Sequence, residues 1–190
     1  RRQRQMCIRD RKLLPEWRLK YALSYKMDID RYTCAKAFVM LKELLQEYCG
    51  ISEDLEFSYS CYKKPFLKSY PRIHFNYSHC RKAIICAIGD LDIGVDVETI
   101  QYDDNILYEV FNESERAEIL NAVDPSIKFT EYWTQKESYL KLLGVGLIGG
   151  LDNVLCDAKL HINFKTEVNS LHGFVTTIAT YKGCLLYTSD

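Results

Sequence analysis

The sequence predicts an α+β fold, and three observations carry that reading. Apolar residues recur at helical spacing in long segments. Short alternating or unbroken apolar runs mark strands. The segments follow one another as helix, strands, helices, strands, which segregates the two kinds of element instead of alternating them.

Asp30–Tyr48 reads as the first long helix. Ala37, Phe38, Leu41, Leu44 and Leu45 repeat on one face, Cys49-Gly50 supplies a glycine stop, and Asp28 or Asp30 supplies a cap. Leu55–Ser60 alternates as a strand. Tyr62–Arg72 holds two prolines and four basic residues and reads as a loop. The unbroken AIICAI of Ala83–Ile88 suits a buried strand, Gly89-Asp90 a turn, and Leu91–Glu98 a second strand, together a hairpin. Asn105–Ala122 reads as one amphipathic helix. After Pro125, Ser126 or Thr130 opens a helix that runs to Leu143 and stops at Gly144. Asn153–Cys156, His161–Phe164 and Phe174–Tyr181 read as strands, the last closing the sheet. No internal repeat or linker interrupts the chain, so one compact unit is expected.

Composition narrows the class. The 190 residues are 47% hydrophobic and 27% charged, as in a globular domain or two small halves sharing one core. No apolar run is long enough for a bilayer and no signal-peptide pattern is present, so no membrane is expected. A net charge of -1 gives no case for nucleic acid. Eight cysteines without a CxxC pair read as reduced thiols of a cytoplasmic protein. Arg1–Arg11 reads like a translated sequencing adapter, and Cys184–Asp190 like its reverse complement in another frame. Both are expected to be non-native, leaving 12–183 as the domain, with halves of roughly 12–90 and 91–183. Without those ends the balance is 20 basic to 24 acidic residues, and six cysteines remain.

Chemistry concentrates in three places. Asp96 and Glu98 are two apart on a strand and so share a face. Side-by-side carboxylates repel unless a proton or cation relieves them, and a hard divalent metal is the economical partner. Glu137 and Lys141 are four apart and share a helix face with Trp133, whereas Lys136 is turned about 100° away. Taken alone, each pair fits an ordinary solvated edge or surface ion pair better than a functional site. Asn76–His79 reads NYSH, a polar turn before the buried strand, where Ser78 and His79 could bind phosphate. No GxSxG elbow supports a serine hydrolase.

Taken together these segments resemble a known family. GVDVE at Gly94–Glu98 and WTQKESYLKLLGVGL at Trp133–Leu147 are similar to the two signature motifs of the 4′-phosphopantetheinyl transferase superfamily. FNYSHC at Phe75–Cys80 and Lys64-Pro65 resemble two further motifs in the same order. More than eighty residues precede GVDVE, which resembles the longer, surfactin-type enzymes. The resemblance implies two similar α+β halves in a pseudo-dimer with the site between them, acting as a monomer. It implies transfer of phosphopantetheine from coenzyme A to a serine of an acyl or peptidyl carrier protein, releasing 3′,5′-ADP.

The resemblance also implies roles. Asp96, Glu98 and Glu137 would ligate Mg2+; Glu137 would be the general base and Lys141 would stabilise the leaving phosphate. Ser78, His79, Lys64 and Arg31 would bind coenzyme A, with Arg18, Lys20 and Lys26 as looser 3′-phosphate candidates. Apart from the resemblance, Ile106, Leu107 and Phe111 after GVDVE are apolar candidates for meeting the carrier, and core packing explains them equally well. Three departures stand out: Cys80 where the family often has serine, Lys63 in place of the glycine before Lys64-Pro65, and a start inside the helical region, where the family has a preceding strand. The competing reading is a non-catalytic coenzyme A or carrier-protein binding module.

Overall fold

The computed structural model describes residues 13–146 and 151–189. The basic run Arg1–Arg11 and the end of the second signature, Leu147, lie outside the described residues. The chain opens with α1 (Glu16–Leu23) and α2 (Asp28–Cys49), continues through β1 (Phe57–Tyr59), β2 (Pro65–Leu67), β3 (His74–His79), β4 (Ile84–Gly89) and β5 (Ile93–Thr99), and reaches three helices, α3 (Asp104–Val110), α4 (Glu113–Leu120) and α5 (Pro125–Leu143). A 3-10 turn at Leu151–Asn153 leads into α6 (Val154–His161), followed by β6 (Ile162–Asn169), β7 (Phe174–Tyr181) and β8 (Leu186–Ser189). The α+β class is as expected.

Two three-stranded antiparallel sheets organise the molecule, in the orders β3-β4-β8 and β5-β7-β6. One face of the first packs on α2 through Phe38, Leu41, Leu45, Phe75 and Ile88, and α1 packs on α2. One face of the second packs on α5, with Phe111, Phe129, Leu142 and Ala179 buried together. Between the sheets lies a third apolar layer of Ile85, Ala87, Ile93, Val95, Val97 and Ile178. No helix among the described residues is long and apolar enough to cross a membrane.

The expected hairpin of Ala83–Ile88 with Leu91–Glu98 does not form. β4 pairs with β3 and β8, and β5 pairs with β7. Both strands carry apolar residues that bury face to face between the sheets, which edge-to-edge pairing would not allow. Phe174–Tyr181 is central in its sheet and does not close it at an edge. NYSH is the end of β3, not a turn, and Pro65–Leu67 inside the expected loop pairs with β1.

The helices also depart in detail. Asn105–Ala122 is two helices, because Asn112 caps the backbone of Glu115 at 2.9 Å and Glu115 returns a bond to the Asn112 backbone at 3.0 Å. That capping box starts a new helix. Asp124, not Ser126 or Thr130, caps α5, with Pro125 in its first turn. No side chain caps α2; Asp28 pairs with Arg31 instead. Asn153–Cys156 is helical, because Leu155 and Ala158, three apart, both turn into the second core. Gly50 and Gly144 end their helices in the left-handed region, at φ 69° and 70°. Leu107 and Phe111 are buried core residues, so they cannot meet a carrier; Tyr108 on the same helix is 66% exposed.

Lys136 is 1% exposed and pairs with Glu115 at 2.8 Å, its remaining donors reaching the carbonyls of Leu151 and Asp152 at 2.8 and 3.2 Å. It is turned away from Glu137 toward α4. Lys136→Met should therefore leave Glu115 buried without its partner and destabilise the fold by about 3–5 kcal/mol. A urea midpoint unchanged from the parent would contradict that assignment.

Candidate active site

Gly94 makes the site possible. A Cβ there would overlap the backbone carbonyl of Ser138 and the backbone nitrogen of Leu142, so only glycine lets α5 lie directly on β5. That contact sets the last turns of α5 beside Asp96, two residues along β5. Across the ladder Asp96 faces Thr177, whose hydroxyl meets Thr134 of α5 at 2.8 Å. The helix is thus fixed to the sheet at both ends of the contact.

From this arrangement Lys141 reaches Asp96 at 2.6 Å and the Ser78 hydroxyl at 2.9 Å. Ser78 donates to the same Asp96 Oδ1 at 2.9 Å. Ser78 and Asn76 share the inward face of β3, and the Asn76 carboxamide accepts the Val95 backbone N–H at 3.0 Å. Asn76 therefore stitches β3 to β5. Within the FNYSHC motif the one signal for this role is its position two residues before Ser78, which on a strand puts both side chains on one face.

Asp96 is 1% exposed, and its Oδ2 is buried without a hydrogen-bond partner. Burial, with repulsion from Asp96 and a smaller contribution from Glu137, pushes the Glu98 carboxyl up to about 7, against the pull of Lys141. Burial and Asp96 likewise raise Glu137, again opposed by Lys141. The three carboxylates and the lysine thus act on one another electrostatically, although Asp96, Glu98 and Glu137 come from a strand and a helix. Among the described residues no three His, Cys, Asp or Glu side chains are gathered closely enough to hold an ion as they stand. Lys141 lies on Asp96 Oδ1, so Oδ2 is the oxygen left for a cation.

His79 ends β3 on the other side of Ser78, toward α2. Partial burial lowers its imidazole below the usual value; Lys141 adds to this, and Asp30 and Asp96 oppose it. A neutral ring there offers a phosphate one N–H donor and no charge. Arg31 lies outside this cluster, donating to the Tyr25 carbonyl at 2.7 Å and to Asp28 at 3.1 Å. Arg18 is buried, with the Cys34 carbonyl at 3.2 Å, and faces the first core. Lys64 also stands apart, on Asp92 and two backbone carbonyls. Asp92 drew no attention as a sequence, being one acid between Leu91 and Ile93.

Residues 92–181 match the 4′-phosphopantetheinyl transferase superfamily. The chain is 33% identical over 122 residues to the 4′-phosphopantetheinyl transferase gsp of Aneurinibacillus migulanus, covering 62% of this chain and 51% of that protein. It is 30% identical over 142 residues to the 4′-phosphopantetheinyl transferase Sfp of Bacillus subtilis (strain 168), covering 73% and 63%. It is 29% identical over 131 residues to an L-aminoadipate-semialdehyde dehydrogenase-phosphopantetheinyl transferase of Candida glabrata, covering 61% and 51%. The chain therefore spans between half and two thirds of the length of these relatives.

Proposed function

The chain belongs to the 4′-phosphopantetheinyl transferase superfamily, in its longer, surfactin-type branch, and from that premise we propose that it transfers the 4′-phosphopantetheine arm of coenzyme A to a serine of an acyl or peptidyl carrier protein, releasing 3′,5′-ADP. One observation supports this most: three carboxylates of the signature motifs disfavour one another's charge, and one of them, Asp96, is bonded both to the Lys141 ammonium and to the buried Ser78 hydroxyl. A pure binding module has no use for such a set.

The donor atoms fit magnesium. All are hard oxygens, and Asp96 Oδ2 is buried with no partner of its own. Asp96, Glu98 and Glu137 would hold the ion, which when bound neutralises charge on the transferring phosphate. Glu137 takes the proton of the carrier serine as its oxygen bonds to phosphorus. Lys141, one helical turn on, stabilises the phosphate of 3′,5′-ADP as the old phosphorus–oxygen bond breaks. Ser78 and His79 donate to coenzyme A phosphates, and Arg31 at the start of α2 would join them only by leaving Asp28 and the Tyr25 carbonyl. Both walls come from one chain, so a monomer suffices. The free cysteines suit a reducing cytoplasm.

Incubation with Mg2+, coenzyme A and an apo-carrier protein, read by mass spectrometry, should show the carrier gaining the phosphopantetheine mass, and a chelator should abolish the gain. Tight coenzyme A binding with no transfer would overturn the reading. The carboxylates add a pH signature. Glu98 titrates near 7 without metal, so protons compete with the ion below that pH. Mg2+ affinity by calorimetry should rise close to tenfold per pH unit up to about 7 and then level off. Without metal the sign for stability is the reverse. A carboxyl whose folded pKa is raised costs stability as pH climbs from its unfolded value of 4.5 toward about 7. Added Mg2+ should restore the melting temperature above pH 7.

A further inference from the structure

Lys64 lies in the connection between β1 and β2, just after Lys63, whose φ of 65° turns the chain. Its ammonium has three donors and three acceptors in reach: the Leu142 carbonyl at 2.9 Å, Asp92 Oδ1 at 3.1 Å and the Ile93 carbonyl at 3.2 Å. The side chain is 16% exposed. Leu142 belongs to the last turn of α5, whose carbonyls have no partner within the helix; the Gly144 and Val145 N–H groups both turn back to Leu140 and leave Leu142 free. Lys64 fills that vacancy from a distant part of the chain, and its charge suits the negative end of the helix. Its stem also crosses the helix stop, where a Cβ on Gly144 would come within 3.0 Å of Lys64 Cδ. Asp92, the ionic partner, bonds His74 Nδ1 at 3.1 Å as well, which ties in the start of β3.

These contacts join the β1–β2 connection, the start of β5 and the end of α5. Asp96 is four residues beyond Asp92, and Lys141 is the residue before Leu142. We propose that Lys64 is a positioning residue, a cap supplied from outside the helix that fixes the height of α5 along β5 and so the approach of Lys141 to Asp96, and that it is not a coenzyme A ligand. Recruiting it to a phosphate would strip the Leu142 carbonyl, in a residue only 2% exposed, of its partner, which is costly for a buried acceptor, and would leave half-exposed Asp92 with His74 alone. The kinetic part of this inference rests on the transferase reading; the structural part does not.

Lys64→Met, Asp92→Asn, the double variant and Lys64→Arg in the full chain separate the cases. In ligand-free thermal unfolding the two single losses should overlap, the double variant losing clearly less than their sum. Amide exchange over residues 140–145 should quicken about tenfold or more in Lys64→Met, with Lys64→Arg restoring most of the protection. In steady-state transfer, Lys64→Met should lower kcat about 10- to 100-fold, as a small misplacement of Lys141 would, with KM for coenzyme A changed less than about threefold. Additive stability losses with unchanged exchange would overturn the clamp. A KM for coenzyme A raised tenfold or more at unchanged kcat would return Lys64 to ligand binding. If the parent chain transfers nothing, the transferase reading fails, and the unfolding and exchange results still decide the clamp.

Discussion

Glu137→Gln is expected to reduce transfer by about 10²- to 10⁴-fold in kcat, the range a positioned general base supplies. The amide keeps the size and place of the side chain but cannot take the serine proton. It also removes one of three carboxylates that disfavour each other's charge, so the variant should melt no lower than the parent and its Glu98 should titrate lower. Loss of activity with undiminished stability is the signature that separates a chemical role from a structural one. Mass spectrometry of the carrier, a thermal scan and calorimetric Mg2+ titration provide the three readouts. Retention of more than about a tenth of the parent rate would remove Glu137 from the base position.

Gly94→Ala should have the largest effect on the fold. The added methyl meets the backbone of α5 at Ser138 and Leu142, and backbone cannot rotate aside as a side chain can. Either α5 lifts off β5 or the strand bends, and both open the core around Leu142, Val95 and Thr177, all nearly or fully buried. A loss of at least about 3 kcal/mol is expected from overpacking at such a contact. Urea unfolding should show it as a lowered midpoint. Any folded fraction should retain little transfer activity, since Lys141 and Glu137 move with the helix. A parent-like midpoint would mean that α5 does not rest on Gly94 as described.

How much was legible in advance follows from the range of the interactions concerned. The long helices were clear because helical spacing and glycine stops act within a few residues, and Gly50 and Gly144 behave as their positions required. Asp96, Glu98, Glu137 and Lys141 stood out because motif spacing on a strand and a helix turns each pair to one face. The short run Asn153–Cys156 misled because four mixed residues fit either period. The break at Asn112 depends on a reciprocal side-chain bond that an amphipathic pattern does not reveal.

Strand pairing was the larger failure, and it bears on the site. Adjacent apolar strands joined by Gly89-Asp90 have the local marks of a hairpin, yet β4 and β5 go to different sheets and meet through their faces. Burial between sheets outweighs local turn preference, and only the assembled chain can express that. The same holds for Lys64. Its spacing from Leu142 and Asp92 carries no periodic signal, so its tie to the end of α5 could not be read from order alone.

The sequence by itself therefore determined the α+β class, the main helices and the identity of the charged residues, because these rest on local periodicity, capping and motif chemistry. The tertiary structure decided which strands pair, why residue 94 is glycine, that the Glu98 carboxyl rises to about 7, and where Lys64 points. Those outcomes depend on desolvation and on contacts between residues far apart in the chain. Neither exists until β5 and α5 are packed together.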